Sequence, residues 1–175
     1  MNLIENKERI FSQVAQAMET ANRTDQVNVI AVTKYVGIDQ AKALVDTGVC
    51  HIGENRVDKF LEKYQALKDE GLTWHLIGSL QRRKVKEVIN FVDYFHALDS
   101  MKLAQEIQKR ASHPIKCFIQ VNISGEESKH GFAPEELDAI LPELEGLDNL
   151  RIVGLMTMAP FEASQDELQA IFAAT

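Results

Sequence analysis

The residue most able to do chemistry is Lys34, which closes the run Val29-Ile30-Ala31-Val32-Thr33. A lysine walled by apolar side chains has its ammonium form disfavoured, and the neutral amine is a nucleophile toward aldehydes. The plainer alternative is a lysine whose stem lies along a strand end while its head reaches water. From position alone that alternative is the commoner one, since lysines are rarely buried. Gly53-Glu54-Asn55 follows the next apolar run. There glycine lets a ligand approach the backbone and asparagine offers donors and an acceptor, although asparagine at such a turn also caps helices. His75, within Trp74-His75-Leu76-Ile77-Gly78, either meets a ligand or is a hydrogen-bonded core histidine. Met156, within Gly154-Leu155-Met156-Thr157, is a soft contact for a ligand or ordinary core packing. Asn122–Phe132 (NISGEESKHGF) is too long and too charged for a minimal turn, which marks a functional loop. Its Glu126, Glu127, Lys129 and His130 lack specific metal-ligand spacing.

These groups need a scaffold that brings them to one end. Residues 3–21 carry Leu3, Ile10, Phe11, Val14, Ala17, Met18 and Ala21 near helical spacing, predicting a leading helix. Residues 27–34 then read as a strand buried on both faces. A helix follows with Ile38, Ala41, Leu44 and Val45 inward, then strands are expected at 49–53, 73–77, 92–97, 115–121 and 151–156, separated by helices near 55–69, 80–90, 100–112 and 135–145. Gly48 stops the helix that begins near Ile38. Pro134 suits a first helical turn, and Pro142 should kink or shorten the helix that contains it. Ser164 and Glu167 form a capping box, with Leu168, Ile171 and Phe172 as the inner face of the helix it starts. Regular β–α alternation means parallel strands with helical crossovers, in a barrel or a doubly wound sheet; periodicity alone does not separate them. In either, Lys34, Asn55, Gly78, Asn122 and Met156 fall at the carboxyl ends of successive strands, where α/β folds build their sites.

The 175 residues suit one domain over 1–175. An apolar fraction of 45% and a charged fraction of 26% are those of a soluble globular protein. The formal net charge of −7 disfavours nucleic acid and anionic membrane as partners. The basic cluster Arg82, Arg83, Lys84 and Lys86 is interleaved with Val85, Val88 and Ile89, so it reads as a solvated outer helix face. No apolar run is long enough to cross a bilayer, and the amino terminus lacks the apolar core of a secretory signal. Cys50 and Cys117, each expected inside a buried strand, suggest neither a disulfide framework nor a metal site, and fit the cytoplasm.

Taken together, VIAVTK (29–34), HIGEN (51–55), WHLIGSLQRRK (74–84), HALDS (96–100), IQVNISGEESKHGF (119–132) and GLMTMAP (154–160) resemble the pyridoxal-phosphate homeostasis protein family, in that family's order and across nearly the whole chain. The resemblance implies an α/β, TIM-type (β/α) barrel like the alanine racemase amino-terminal domain, with about six of its eight strands present. It implies pyridoxal 5′-phosphate (PLP) held as a Schiff base on Lys34, with Asn55 lining the cofactor ring and Met156 near the pocket. It further implies a cytoplasmic, non-catalytic carrier that buffers PLP or delivers it to PLP-dependent apoenzymes, monomeric when complete. The family has Asn where this chain has Arg83, a change expected to alter a surface contact. Its pattern also continues past Thr175 into a seventh and an eighth strand that supply the phosphate cradle, so the sequence reads as cut before them. The competing readings are a racemase-like PLP enzyme, a Schiff-base aldolase and an RNA-contacting protein.

Overall fold

In the computed structural model, which describes residues 2–123, 130–160 and 162–175, strands and helices alternate along the chain. The leading helix α1 (Leu3–Thr20) precedes β1 (Ala31–Val32), α2 (Ile38–Val45), β2 (His51–Glu54), α3 (Val57–Leu67) and β3 (Thr73–Leu76). Then come α4 (Arg82–Val88), β4 (Tyr94–Leu98), α5 (Met101–Arg110), β5 (Ile115–Gln120), α6 (Leu137–Glu145), β6 (Leu150–Met156) and α7 (Gln165–Ala174). All the strand pairings are parallel, and the spatial order is the chain order, β1-β2-β3-β4-β5-β6. A doubly wound sheet reverses its order at a switch point. No reversal occurs here, so the winding is that of a (β/α) barrel.

One core lies between the sheet and its crossover helices. Strand residues Ile52, Trp74, Leu76, Phe95, Ile115 and Cys117 pack against helix residues Phe60, Val85, Leu103, Ala104, Ile107 and Leu144. Because side chains alternate along a strand, the residues between these face the other side of the sheet: His51 and Gly53, His75, Tyr94 and His96, Lys116 and Phe118. That second face is polar and aromatic. On α4, Val85 and Val88 are buried while Arg82, Arg83 and Lys86 are exposed, the solvated outer face expected of the basic cluster.

Several expectations are corrected at the edges. The segment 27–34 is not a strand buried on both faces: only Ala31–Val32 pairs, and Val27 and Val32 are 39% and 51% exposed. Its β-branched run pairs with β2 on one side only, so burial reaches it from one side. No residue of α1 is buried, and Phe11 is 39% exposed. Cys50 precedes the β2 ladder and is exposed, whereas Cys117 is buried, which pushes its thiol up to about 12 and keeps it protonated. Pro142 does not end its helix, which runs on to Glu145 because Ile140 and Leu144 are packed in the core. The Ser164 capping box forms, with the Ser164 N–H donating to Glu167 at 2.7 Å, but Phe172 is 59% exposed. Gly48, at φ 90°, follows α2 as expected. Ser124–Lys129, most of the charged loop, lies outside the described residues.

Candidate functional site

Lys34, Asn55 and Gly78 follow the carboxyl ends of β1, β2 and β3, three strands adjacent in the sheet. Lys34 is exposed rather than walled by apolar groups, because its strand has a neighbour on one side only. Its Nζ lies 5.0 Å from the centroid of the Tyr35 ring, and it forms no ion pair among the described residues. Asn55 is exposed and does not cap α3, whose N-cap is Arg56. Its side-chain amide is therefore available to a ligand, at the rim of a cavity of about 160 Å³ also lined by Ser79, Gln81 and Lys84. Met156 ends β6 at the other edge of the strand order and packs partly against the core.

Gly78 sets how closely these ends approach. A Cβ at this position would lie 2.1 Å from the Asn55 carbonyl oxygen, so any side chain must push the two loops apart. Gly78→Ala is expected to lower stability by about 1–3 kcal/mol, the usual range for overpacking. Urea denaturation of the variant checks this, and an unchanged midpoint would show that the loops move freely.

Beneath Lys34 lies a buried polar node that the sequence reading did not single out. The Thr33 hydroxyl donates to Glu54 Oε1 at 2.6 Å, and Lys63 Nζ donates to the Thr33 carbonyl at 2.7 Å. Lys63 is also paired with Glu54 Oε1, and all three residues are buried. Glu54 Oε2 has no partner among the described residues. A hint was available: on α3, Lys63 occupies the inner stripe set by Phe60 and Leu67, where an unpaired charge would be costly.

On the other face of the sheet, three histidines from consecutive strands form a chain. His51 Nδ1 lies 3.0 Å from His75 Nε2, and His75 Nδ1 lies 2.9 Å from His96 Nε2. Tyr94 stacks on His75 at 4.8 Å, and Lys116 Nζ donates to the Tyr94 hydroxyl at 3.1 Å. Burial, then the nearby His96, His51 and Lys116 charges, push His75 down to about 3; burial pushes His96 down to about 4. Neutral His75 donates through one ring nitrogen and accepts through the other, so the chain runs head to tail. In the unfolded chain the His75 and His96 rings protonate near pH 6.5. Folded stability is therefore fully present above that pH and falls as acid protonates the unfolded state first. The expected loss at pH 5 is roughly 1–2 kcal/mol per histidine after solvent screening. Denaturation midpoints at pH 7.5 and 5.0 check it: His75→Gln should flatten the difference, and an unchanged slope would refute the assignment.

Comparison with known proteins bears on this arrangement. The family model "Alanine racemase, N-terminal domain" matches residues 6–174. The pyridoxal phosphate homeostasis protein of Aquifex aeolicus is 37% identical over 98% of this chain and 77% of its own length. The chain belongs to the pyridoxal phosphate homeostasis protein family. A solved protein of Bifidobacterium adolescentis superimposes with a TM-score of 0.90 at 31% identity, over 98% of this chain and 75% of that one. PipY of Synechococcus elongatus, solved with PLP bound, superimposes with a TM-score of 0.77 at 32% identity, over 92% of this chain and 77% of PipY. This pyridoxal phosphate homeostasis family member thus spans about three quarters of those relatives. Its six-stranded sheet is the alanine racemase amino-terminal fold expected from the sequence.

Proposed function

We propose that this chain binds PLP reversibly through a Schiff base on Lys34 and acts as an intracellular carrier of the cofactor rather than as an enzyme. The observation that carries the reading is Lys34 itself: an accessible amine with no carboxylate partner among the described residues, closing the first of three adjacent strand ends. The family name of its relatives and the PLP-bound state of PipY support the choice of aldehyde. The residues present fit the aldehyde end of the cofactor. Lys34 would hold the cofactor through its aldehyde carbon, with one water as the leaving group. Asn55 contributes side-chain hydrogen bonds to the ring, and Met156 is a soft contact contributed by β6. Bound PLP supplies an electron sink, but delivery needs only reversible capture. In this reading residues 1–175 act as one domain, the recipients are PLP-dependent apoenzymes, and the complete protein is a monomer. Among the described residues no helix is long and apolar enough to cross a membrane.

The test is titration of the purified chain with PLP. A visible absorption band should appear, vanish on dialysis against a competing amine, and become a permanent mass increase on borohydride reduction. A chain that stays colourless and forms no reduced adduct would refute the reading.

The family model's name favours a second reading, a racemase-like enzyme. It requires an acid–base partner across from Lys34; Tyr35, the adjacent phenol, is 89% exposed. Incubating the PLP-loaded chain with L-amino acids decides between the two: a D-enantiomer supports the enzyme, and none supports the carrier.

A further inference from the structure

The strand that carries Lys34 is the least secured in the sheet. β1 is two residues long and, among the described residues, pairs only with β2, through Ala31–Ile52 and Val32–Gly53. The ladder's last bond is Thr33 N–H to the Gly53 carbonyl at 3.0 Å. After it the backbone only turns back on itself, with Val36 N–H donating to the Thr33 carbonyl at 3.1 Å. Ladder hydrogen bonds therefore say little about where the Lys34 amine is held. Yet Thr33 is 1% exposed, between Val32 at 51% and an exposed Lys34, and it is the one fully buried residue among positions 2–40.

What buries it is the polar node. We propose that the Glu54–Lys63 pair, acting through Thr33, is the positioning device that fixes Lys34 at the mouth of the sheet. The Thr33 hydroxyl is held by Glu54 at the end of β2, and its carbonyl, the one directly before the Lys34 nitrogen, is held by Lys63 on α3. Glu54 also extends the clamp to the third strand, because its own carbonyl accepts from Ile77 N–H at 2.9 Å, one residue before Gly78. One carboxylate oxygen thus joins the residues preceding Lys34 and Asn55, and its backbone reaches the approach to Gly78. An apolar trio of similar volume would stabilise the fold as well or better. A directional node restrains the carbonyl immediately before the lysine, which apolar packing does not do. Glu54, Lys63 and Thr33 are positioning residues; none is placed in contact with the cofactor. The inference rests on the cofactor reading only for what Lys34 captures, not for how Lys34 is held.

The chain of residues 1–175 is compared with Thr33→Val, which removes only the hydroxyl, with Thr33→Ser, which restores it, and with the double variant Glu54→Gln/Lys63→Met, which removes both charges together. The first measurement is amide hydrogen exchange of residues 34–36 in the protein without PLP. Thr33→Val and the double variant should exchange there about tenfold faster, the effect of one lost buried hydrogen bond, with β3–β5 unchanged and Thr33→Ser at the wild-type rate. The second is the visible circular dichroism of the PLP-loaded protein and its rate of PLP release, with release expected about tenfold faster in the same two variants. Wild-type exchange at 34–36 in folded Thr33→Val would overturn the proposal, and that variant decides should the double variant not fold. If exchange rises as expected but the wild-type chain takes up no PLP, the positioning device stands and the cofactor reading falls.

Discussion

Lys34→Ala is expected to abolish the covalent capture of PLP proposed above: neither the visible band nor the borohydride-fixed adduct should form, while the chain stays folded. The fold is expected to survive because Lys34 is exposed and its recorded contact is the Tyr35 ring at 5.0 Å. Such an exposed cation–π contact contributes about 0.5–1 kcal/mol, and surface substitutions of this kind stay within about 0.5 kcal/mol in most proteins. Lys34→Arg is the sharper control. It keeps the positive charge and can keep the contact with Tyr35, but a guanidinium does not lose its proton in a protein and cannot condense with an aldehyde. Both variants should therefore be colourless with added PLP, with unfolding midpoints near wild type. An adduct of undiminished yield in Lys34→Arg would transfer the chemistry to another amine, and peptide mapping of the reduced protein would identify it.

The second large effect concerns stability. Lys63→Met alone leaves Glu54 buried without its cation, and Glu54→Gln alone strands the Lys63 ammonium; the two residues are only 3% and 1% exposed. Each single change is expected to cost about 3–5 kcal/mol, the usual result of breaking a buried pair from one side. For a chain of this size that is a fall in melting temperature of roughly 10 °C. Glu54→Gln/Lys63→Met should recover most of the loss, since neither charge then remains to be desolvated. A double-mutant cycle measured by denaturation separates the outcomes. Single variants within about 1 kcal/mol of wild type would mean that water reaches the pair in solution.

The different success of sequence reasoning at these two places has a physical basis. The placement of Lys34 and Asn55 at strand ends was legible because each closes a short segment that opens on apolar residues, and strand ends are where α/β folds expose functional groups. The barrel-type winding was legible only through the family resemblance, because β–α alternation is shared by both architectures and only spatial order separates them. Val27–Thr33 misled because β-branched residues signal a strand without saying how many neighbours it has; Val32 is half exposed for want of a second one. The Thr33–Glu54–Lys63 node is non-local, joining two strand ends to a helix, so no short motif encodes it. The histidine chain left a fainter trace: His51, His75 and His96 stand one each on β2, β3 and β4, a repetition visible only once the strands are aligned. Pro142 misled in the opposite direction, as the packing of Ile140 and Leu144 outweighed a local helix breaker.

The unreversed strand order also says something about how the chain acquires its structure. Every ladder joins a strand to the next one made, from Ala31 with Ile52 to Gln120 with Met156. Among the described residues no pairing spans more than one crossover, so the entropy of loop closure is met in small, successive instalments rather than in one long-range step. For a parallel sheet this is a low contact order, which favours fast folding. It also lets each β–α–β unit dock on its predecessor as the chain leaves the ribosome, amino-terminal units first.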